Sequence, residues 1–448
     1  MNKTITIVHI TPHLGGGVGT SLSNFINQSE TLEVSNQVFC LDWCEDLKKD
    51  LRIQFNLAQG VFWGSHEPLN IGVLNCDCVL IHYWNHPLLT VFLSEFSLPK
   101  NKSIFWCHNS GIAEPHIIPK YLTEIASKIV FTSQSSVHSP NFESMSHELG
   151  NLPLVVPTVR DLQAYIGVGA NRSFRSSNLK LLYVGSVTRS KMHPDASVIF
   201  AELSKRGCQI KIIGGPDHDQ FAAEVESLGG NVEVFGQVDN VLEFYRSSDL
   251  FLYPLRSDHY GTGEQVILEA LASGLPVVAF NNPAEAAILD KFPNIKLARS
   301  TSDFLEIVSN LIDLPEDLFK LSREVNFIAS SLYGSNRMTT DLLAVIKDVV
   351  DSAKSKKKSQ IKREATNNLL AIYAQASFFD ESIYRSILNY PDRGVEFIVS
   401  AIRSGLNYPG QIDKWQARTK STPEHYRKYF PENLEMDRLA KELIEWRA

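Results

Sequence analysis

Residues 249–280 read DLFLYPLRSDHYGTGEQVILEALASGLPVVAF. A short apolar run is followed by a glycine-containing loop, a helical stretch stopped by Gly274 and Pro276, and a second apolar run. Two strands joined through a helix are the unit of a parallel sheet, because parallel neighbours need a crossover between them. Plotted at 100° per residue, Val266, Ile267, Leu268, Ala270 and Leu271 cover most of the helix, and only Gln265 and Glu269 share a polar face. A carboxylate on a helix that covers a sheet either faces solvent or accepts hydrogen bonds from something in a cleft, since burying it unpaired is too costly. Just before the helix, Thr262, Gly263 and Glu264 occupy a position where free amides and the helix dipole attract anions.

The same alternation extends to both sides. LKLLYVGS, CQIKIIGG, NVEVFGQV, DLFLYPL, PVVAF and NIKLA are candidate strands of one doubly wound domain over residues 180–352. ITIVHI, QVFCLDW, CDCVLIHYW, SIFWCHN, KIVFTS and LPLVVPT predict another over 1–160. Between them, at 161–179, Gly, Ser and Arg accumulate and periodicity fades, as in a linker. Residues 353–363 form a basic linker, and 364–448 read as a helical extension rich in aromatics such as Phe378, Trp415, Tyr426 and Trp446. The basic stretch is either a solvated connection or a patch for an anionic membrane.

Composition narrows the function. The chain has 448 residues, 44% apolar and 21% charged, which excludes a disordered or collagen-like protein. Lys plus Arg total 43 against 50 Asp plus Glu, a net charge of -7, so the basic excess of a nucleic-acid binder is missing and any phosphate site must be local. The six cysteines show no C-x-x-C pairing and read as reduced core residues. The N-terminal apolar run is too short for a signal peptide, and no stretch is long enough to span a membrane, so a cytoplasmic protein is expected, with contact at the inner face of the membrane through the basic linker as an option.

In LGGGVGTSLSNFI (14–26) the glycines allow a tight turn and close ligand approach before a helix. The dinucleotide fingerprint fits poorly, because counting from Gly17 and Gly19 its third glycine falls on Leu22; Asp42, where a ribose-binding acid would sit, keeps a dehydrogenase as a competing reading. There is no G-x-x-x-x-G-K-[ST] phosphate loop. His82 and His86, four apart in HYWNHP, would suit a metal only on a helix, whereas the segment reads as strand end and loop. His82 and Asn85 therefore read as acceptor-side contacts at the carboxyl end of a strand, and no metal site is assigned.

Taken together, YVGSVTRSK (183–191), IKIIGGPDHDQF (210–221), NVEVFGQVDNVLEFYRSSDLFLYPL (231–255) and EALASGLPVVAF (269–280) resemble, in order, blocks of the family 4 glycosyltransferases of GT-B fold. LGGGVG (14–19) resembles that family's first glycine-rich loop, and SIFWCHNSG (103–111) its segment with a histidine facing the donor sugar. The resemblance runs to about residue 352. It implies two Rossmann-like doubly wound parallel-sheet domains facing a cleft, to which this chain adds its helical extension.

The resemblance also implies roles. Glu269 would accept hydrogen bonds from the nucleotide ribose, Lys191 would hold the donor diphosphate, His108 would be the active-site histidine, and Gly16 and Gly17 would border the phosphates. Two positions depart from the family pattern. Its first motif glutamate falls on Gly261, and the arginine usually following the strand glycine, Gly185, is Ser186. Glu264 or Asp258 is the nearest replacement for the carboxylate, and Arg189 for the arginine. The expected activity is a retaining, metal-independent transfer of a sugar from a nucleoside-diphosphate donor, a UDP-sugar foremost, to a glycan, lipid-linked or protein acceptor, with no further cofactor. The alternative is a catalytically weak or inactive homologue serving as a binding partner or scaffold.

Overall fold

The computed structural model describes residues 4–42, 55–57, 67–149, 154–158, 162–169, 178–262, 264–332, 337–355, 366–407, 411–416 and 420–446. Gly263, Cys44, much of the expected linker and most of the basic stretch after residue 353 lie outside them. The fold has two compact units, one made of residues 1–158, 260–262 and 336–448, the other of 159–259 and 263–335.

The first unit is built on a seven-stranded parallel sheet: β1 (Ile5–Thr11), β2 (Val34–Cys40), β3 (Phe55–Leu57), β4 (Cys78–Tyr83), β5 (Ser103–Cys107), β6 (Lys128–Phe131) and β7 (Leu154–Val155), in the order β3-β2-β1-β4-β5-β6-β7. All six runs predicted in this half are strands, and β3 is an addition. β4 and β5 are buried throughout, the consequence of a parallel sheet covered by helices on both faces, which is why their sequences are nearly unbroken apolar runs. The helix Gly16–Ser29 leaves β1 through a turn in which Gly16 has φ +62°. A Cβ at Gly19 would stand 1.7 Å from the Leu14 carbonyl oxygen, so that position tolerates only glycine.

The helix Arg337–Ser355, expected to close the second domain, packs on this first unit, against Gly16–Ser29, the short 3-10 turn Lys100–Lys102 and β4. Thr339 Oγ1 donates to Gln28 Oε1 at 2.6 Å across that contact. A helical period is indifferent to its partner, so the apolar spacing of this segment does not say which unit its apolar face will meet.

The residues read as a helical extension, 364–448, belong to the first unit as well. Helices Leu369–Ser377, Glu381–Asn389, Gly394–Gly405, Pro423–Tyr429 and Leu434–Glu445 enclose Tyr373, Phe378, Ile387, Trp415, Tyr426 and Leu439, and Val91 of the α/β layer joins the same core. Full burial of each large side chain contributes about 1.5–3 kcal/mol. Asn368, Asp380, Thr422 and Asn433 cap four of these helices through their side chains, worth roughly 1 kcal/mol apiece.

The second unit carries a six-stranded parallel sheet: β8 (Lys180–Val184), β9 (Gln209–Ile213), β10 (Glu233–Val234), β11 (Leu250–Tyr253), β12 (Val277–Phe280) and β13 (Leu297–Ala298), ordered β10-β9-β8-β11-β12-β13. All six predicted strands are present. The order reverses beside β8, between β9 on one flank and β11 on the other, the topological switch at which doubly wound sheets open a crevice beyond the carboxyl ends of their strands. The loops after β8 and β9 touch there. A Cβ at Gly214, φ +124°, would lie 1.9 Å from the Gly185 carbonyl oxygen.

Candidate functional site

The turn after β8, residues 188–191, brings Lys191 beside the end of β11. The Lys191 carbonyl oxygen accepts from the Arg256 backbone N–H at 3.0 Å, and Lys191 Nζ donates to Tyr253 Oη at 3.0 Å and to Glu264 Oε2 at 3.1 Å. Tyr253 Oη also donates to Glu264 Oε2. Glu264 directly precedes the helix Gln265–Ala272. Burial favours its neutral form, yet the Lys191 ammonium, His259 and the Tyr253 and Lys191 hydrogen bonds outweigh burial and hold its carboxyl below the usual range.

His259 lies between two acids. Its Nε2 is 3.0 Å from Glu285 Oε1, and its Nδ1 is 3.8 Å from Glu264 Oε1. Burial alone would depress this imidazole, but the charge and hydrogen bond of Glu285, assisted by Glu264, raise its pKa above the ordinary value. A buried lysine, tyrosine and histidine thus hold the carboxylate ahead of the helix.

Of the two acids weighed as a replacement for the one missing at Gly261, Glu264 meets Lys191. Asp258 pairs with Arg256, Nε to Oδ1 at 2.9 Å. Arg189 reaches the surface acid Glu224 at 2.7 Å, while the buried guanidinium of Arg256 is the arginine next to the Lys191 turn and bonds the Arg189 carbonyl oxygen at 3.4 Å. Ser186 offers its carbonyl oxygen to Tyr183 Oη at 2.8 Å. Glu269, 3% exposed, accepts from Tyr245 Oη at 2.9 Å. The sequence reading missed Tyr245, Tyr253, Arg256, His259 and Glu285. Tyr253 and Arg256, at and just past the end of β11, carried the one available signal, their position at a strand's carboxyl end.

The first unit places His82 and His108 together, with His9. Their rings stack, His82 with His108 at 5.3 Å and 9° and with His9 at 5.4 Å and 27°. His9 Nδ1 is 3.1 Å from His82 Nε2, and His82 Nδ1 is 3.1 Å from His108 Nε2. Asn36 Nδ2 donates to Ser29, so its Oδ1 accepts from His9 Nε2 at 2.9 Å. Burial keeps His9 neutral with a pKa of about 4, His108 at about 3, and His82 well below its ordinary value. In neutral rings this chain fixes each tautomer in turn: the hydrogen sits on Nε2 of His9, His82 and His108, and His108 Nδ1 is left with a lone pair. Asn85 lies apart from these rings. Its amide donates to the Pro115 and Ala376 carbonyl oxygens at 2.9 and 2.6 Å, and its Oδ1 accepts from Tyr426 Oη at 3.1 Å. Thr262, grouped with the first unit, accepts from Thr132 Oγ1 at 2.8 Å. Gly16 and Gly17 open the helix after β1.

Among the described residues no group of three or more His, Cys, Asp or Glu is arranged to hold a metal ion. Nor is any described helix long and apolar enough to cross a membrane.

Two doubly wound parallel-sheet units, the second with a lysine and an acid-bearing helix at its switch point, define the GT-B fold, with helices added at the C-terminus. Residues 178–314 match the family model described as glycosyl transferases group 1. The structure is similar to that of HepE from Anabaena in complex with UDP and glucose (TM-score 0.58, 15% identity, 77% of this chain and 100% of that one). It is also similar to a glycosyltransferase from Rickettsia africae (0.57, 14%, 78% and 99%) and to a TarM variant from S. aureus bound to fondaparinux, alpha-GlcNAc-glycerol and UDP (0.54, 10%, 76% and 99%). No curated protein matches the chain in sequence.

Proposed function

We propose that this protein is a retaining glycosyltransferase that moves a hexose from a UDP-sugar to a saccharide, lipid-linked or protein acceptor. The observation that carries the reading is the buried Lys191–Glu264–Tyr253 cluster, which falls with Glu269 inside the glycosyl transferases group 1 match. The UDP in the HepE and TarM structures favours this donor nucleotide.

The chemistry follows from charge. As the glycosidic bond breaks, the diphosphate leaving group gains negative charge, and an ammonium already fixed near it lowers the barrier without having to reorganise. Tyr253 and Glu264 hold Lys191 in place, so the ammonium has one position rather than the many of a free lysine. Glu264 takes the place of the family carboxylate lost at Gly261, and Glu269 takes the ribose hydroxyls. A donor phosphate oxygen assists deprotonation of the acceptor, so no protein nucleophile and no metal is assigned. The test is a panel of nucleotide sugars assayed for hydrolysis and transfer, with and without EDTA. Turnover of a UDP-sugar that survives chelation is expected; no turnover with any donor, or turnover that needs magnesium or manganese, would sink the corresponding part of the reading.

A further inference from the structure

Beyond the carboxyl ends of β1 and β4, at the switch point of the first sheet, aromatic rings gather. The His86 ring lies 5.6 Å from His13, 4.6 Å from Trp84, 4.9 Å from His425 and 4.8 Å from Tyr429, centroid to centroid. The C-terminal helical segment supplies His425 and Tyr429. Each imidazole uses Nδ1 to accept a backbone hydrogen: His13 from Gly15 at 3.0 Å, His86 from Leu88 at 3.2 Å, and His425 from Ser421 at 3.1 Å. Burial, reinforced by Lys420, keeps His13 at about 4 and His425 at about 3, and burial keeps His86 well below its ordinary value. A neutral ring whose Nδ1 accepts carries its hydrogen on Nε2, so all three present donors.

The indole N–H of Trp84 and Nε2 of His86 are buried with no hydrogen-bond partner. A buried donor without a partner keeps the full cost of its lost hydration, so such a pair calls for an acceptor. The neighbouring imidazoles, His13 and His425, add donors rather than acceptors, since their Nδ1 lone pairs are already taken. Lys420 Nζ sits 4.9 Å from the Trp84 ring centroid, and Lys428 Nζ 5.4 Å from that of Tyr429. The nearby acid, Asp42, takes the Tyr429 hydroxyl at 2.8 Å.

We propose that this cluster binds an oxyanion, phosphate or carboxylate, carried by the acceptor substrate. Neutral imidazole and indole N–H groups supply directional hydrogen bonds, and the two lysines supply the field that favours an anion over a sugar hydroxyl. Assigning the anion to the acceptor rests on the transferase reading; the binding of an anion does not.

The test uses the full chain with UDP present, titrated calorimetrically with inorganic phosphate and, separately, with glucuronate, while histidine-selective nitrogen NMR follows His86. One anion per chain is expected, with a shift of the His86 Nε2 resonance. The tighter of the two anions tells a phosphate-bearing acceptor from a uronate-bearing one. Lys420→Ala should weaken that binding about tenfold, as for the loss of one charge-assisted contact, and Trp84→Phe, which keeps a ring but removes its N–H, should weaken it too, with UDP affinity unchanged in both. If the wild type takes up neither anion, and water alone fills the site, the proposal fails. It fails equally if both variants bind as tightly as wild type. Loss of UDP binding in the wild type would instead overturn the transferase reading, with the anion titration then run and judged without nucleotide.

Discussion

Lys191 Nζ and Glu264 Oε2 are 3.1 Å apart, and both side chains are less than a tenth exposed. A lysine in an open cleft would contribute little to the fold. A buried ion pair behaves differently, because removing one partner strands the other as an uncompensated charge, at about 3–5 kcal/mol.

Lys191→Ala should therefore do two things. It lowers the melting temperature, and it lowers turnover by roughly 10² to 10³, as for the loss of one preorganised electrostatic contact to the leaving group. Adding Glu264→Gln should restore much of the stability and none of the turnover. Calorimetric scans and steady-state rates on the folded single and double variants check this, and wild-type turnover in either would remove Lys191 from the chemistry.

Glu269→Ala should raise the dissociation constant of UDP about tenfold or more, since hydrogen bonds from ribose hydroxyls to a carboxylate are worth about 1.5–3 kcal/mol each. Tyr245→Phe, which removes the hydroxyl that orients Glu269, should have a smaller effect in the same direction. Titration calorimetry decides; equal affinities in wild type and Glu269→Ala would make this carboxylate purely structural.

Acid should destabilise the protein before its carboxylates titrate. The folded-state pKa values of His9 and His13, about 4, and of His108 and His425, about 3, lie below the unfolded value near 6.5. Between those limits the unfolded chain binds more protons, so the stability these rings contribute is complete above pH about 6.5 and is lost as pH falls through the window. His259 acts in the opposite sense: its raised pKa gives stability that is present below pH about 6.5 and fades at higher pH. The depressed rings outnumber it, so urea midpoints should fall steadily from pH 6.5 to 4; a flat profile would contradict the neutral histidine chain.

Asn85→Ala should destabilise the first unit by about 2–4 kcal/mol, because it leaves the Pro115 and Ala376 carbonyls and the Tyr426 hydroxyl without this partner in a buried setting. Truncation after residue 355 should aggregate rather than yield a soluble two-unit protein, since it uncovers Val91 and deletes the core around Tyr373 and Tyr426. Urea denaturation and size-exclusion chromatography give the two readouts. A soluble, nucleotide-binding truncation would show instead that the C-terminal helices are separable from the α/β layer.

Local pattern was enough for every strand but β3 and for the helix Gln265–Ala272 with its acidic face, because periodicity is a property of a few consecutive residues, whereas Lys191, Glu264 and Glu269 were nominated through the family resemblance. It failed where the partner is distant in the chain. Nothing near Asn85 announces Ala376 or Tyr426, and nothing near residue 364 says whether the aromatic helices that follow will bury their faces against one another, a partner or the α/β layer. Likewise the choice of Glu264 over Asp258, the chain from His9 through His82 to His108, and the meeting of Trp84 with His425 arise from strand order and packing. Every strand but β3, and the charged side chains near the strand ends, are thus written in local pattern. Which charges meet is a property of the packed fold, because an ion pair or a shared proton depends on separations of about 3 Å between atoms that chain connectivity leaves unspecified.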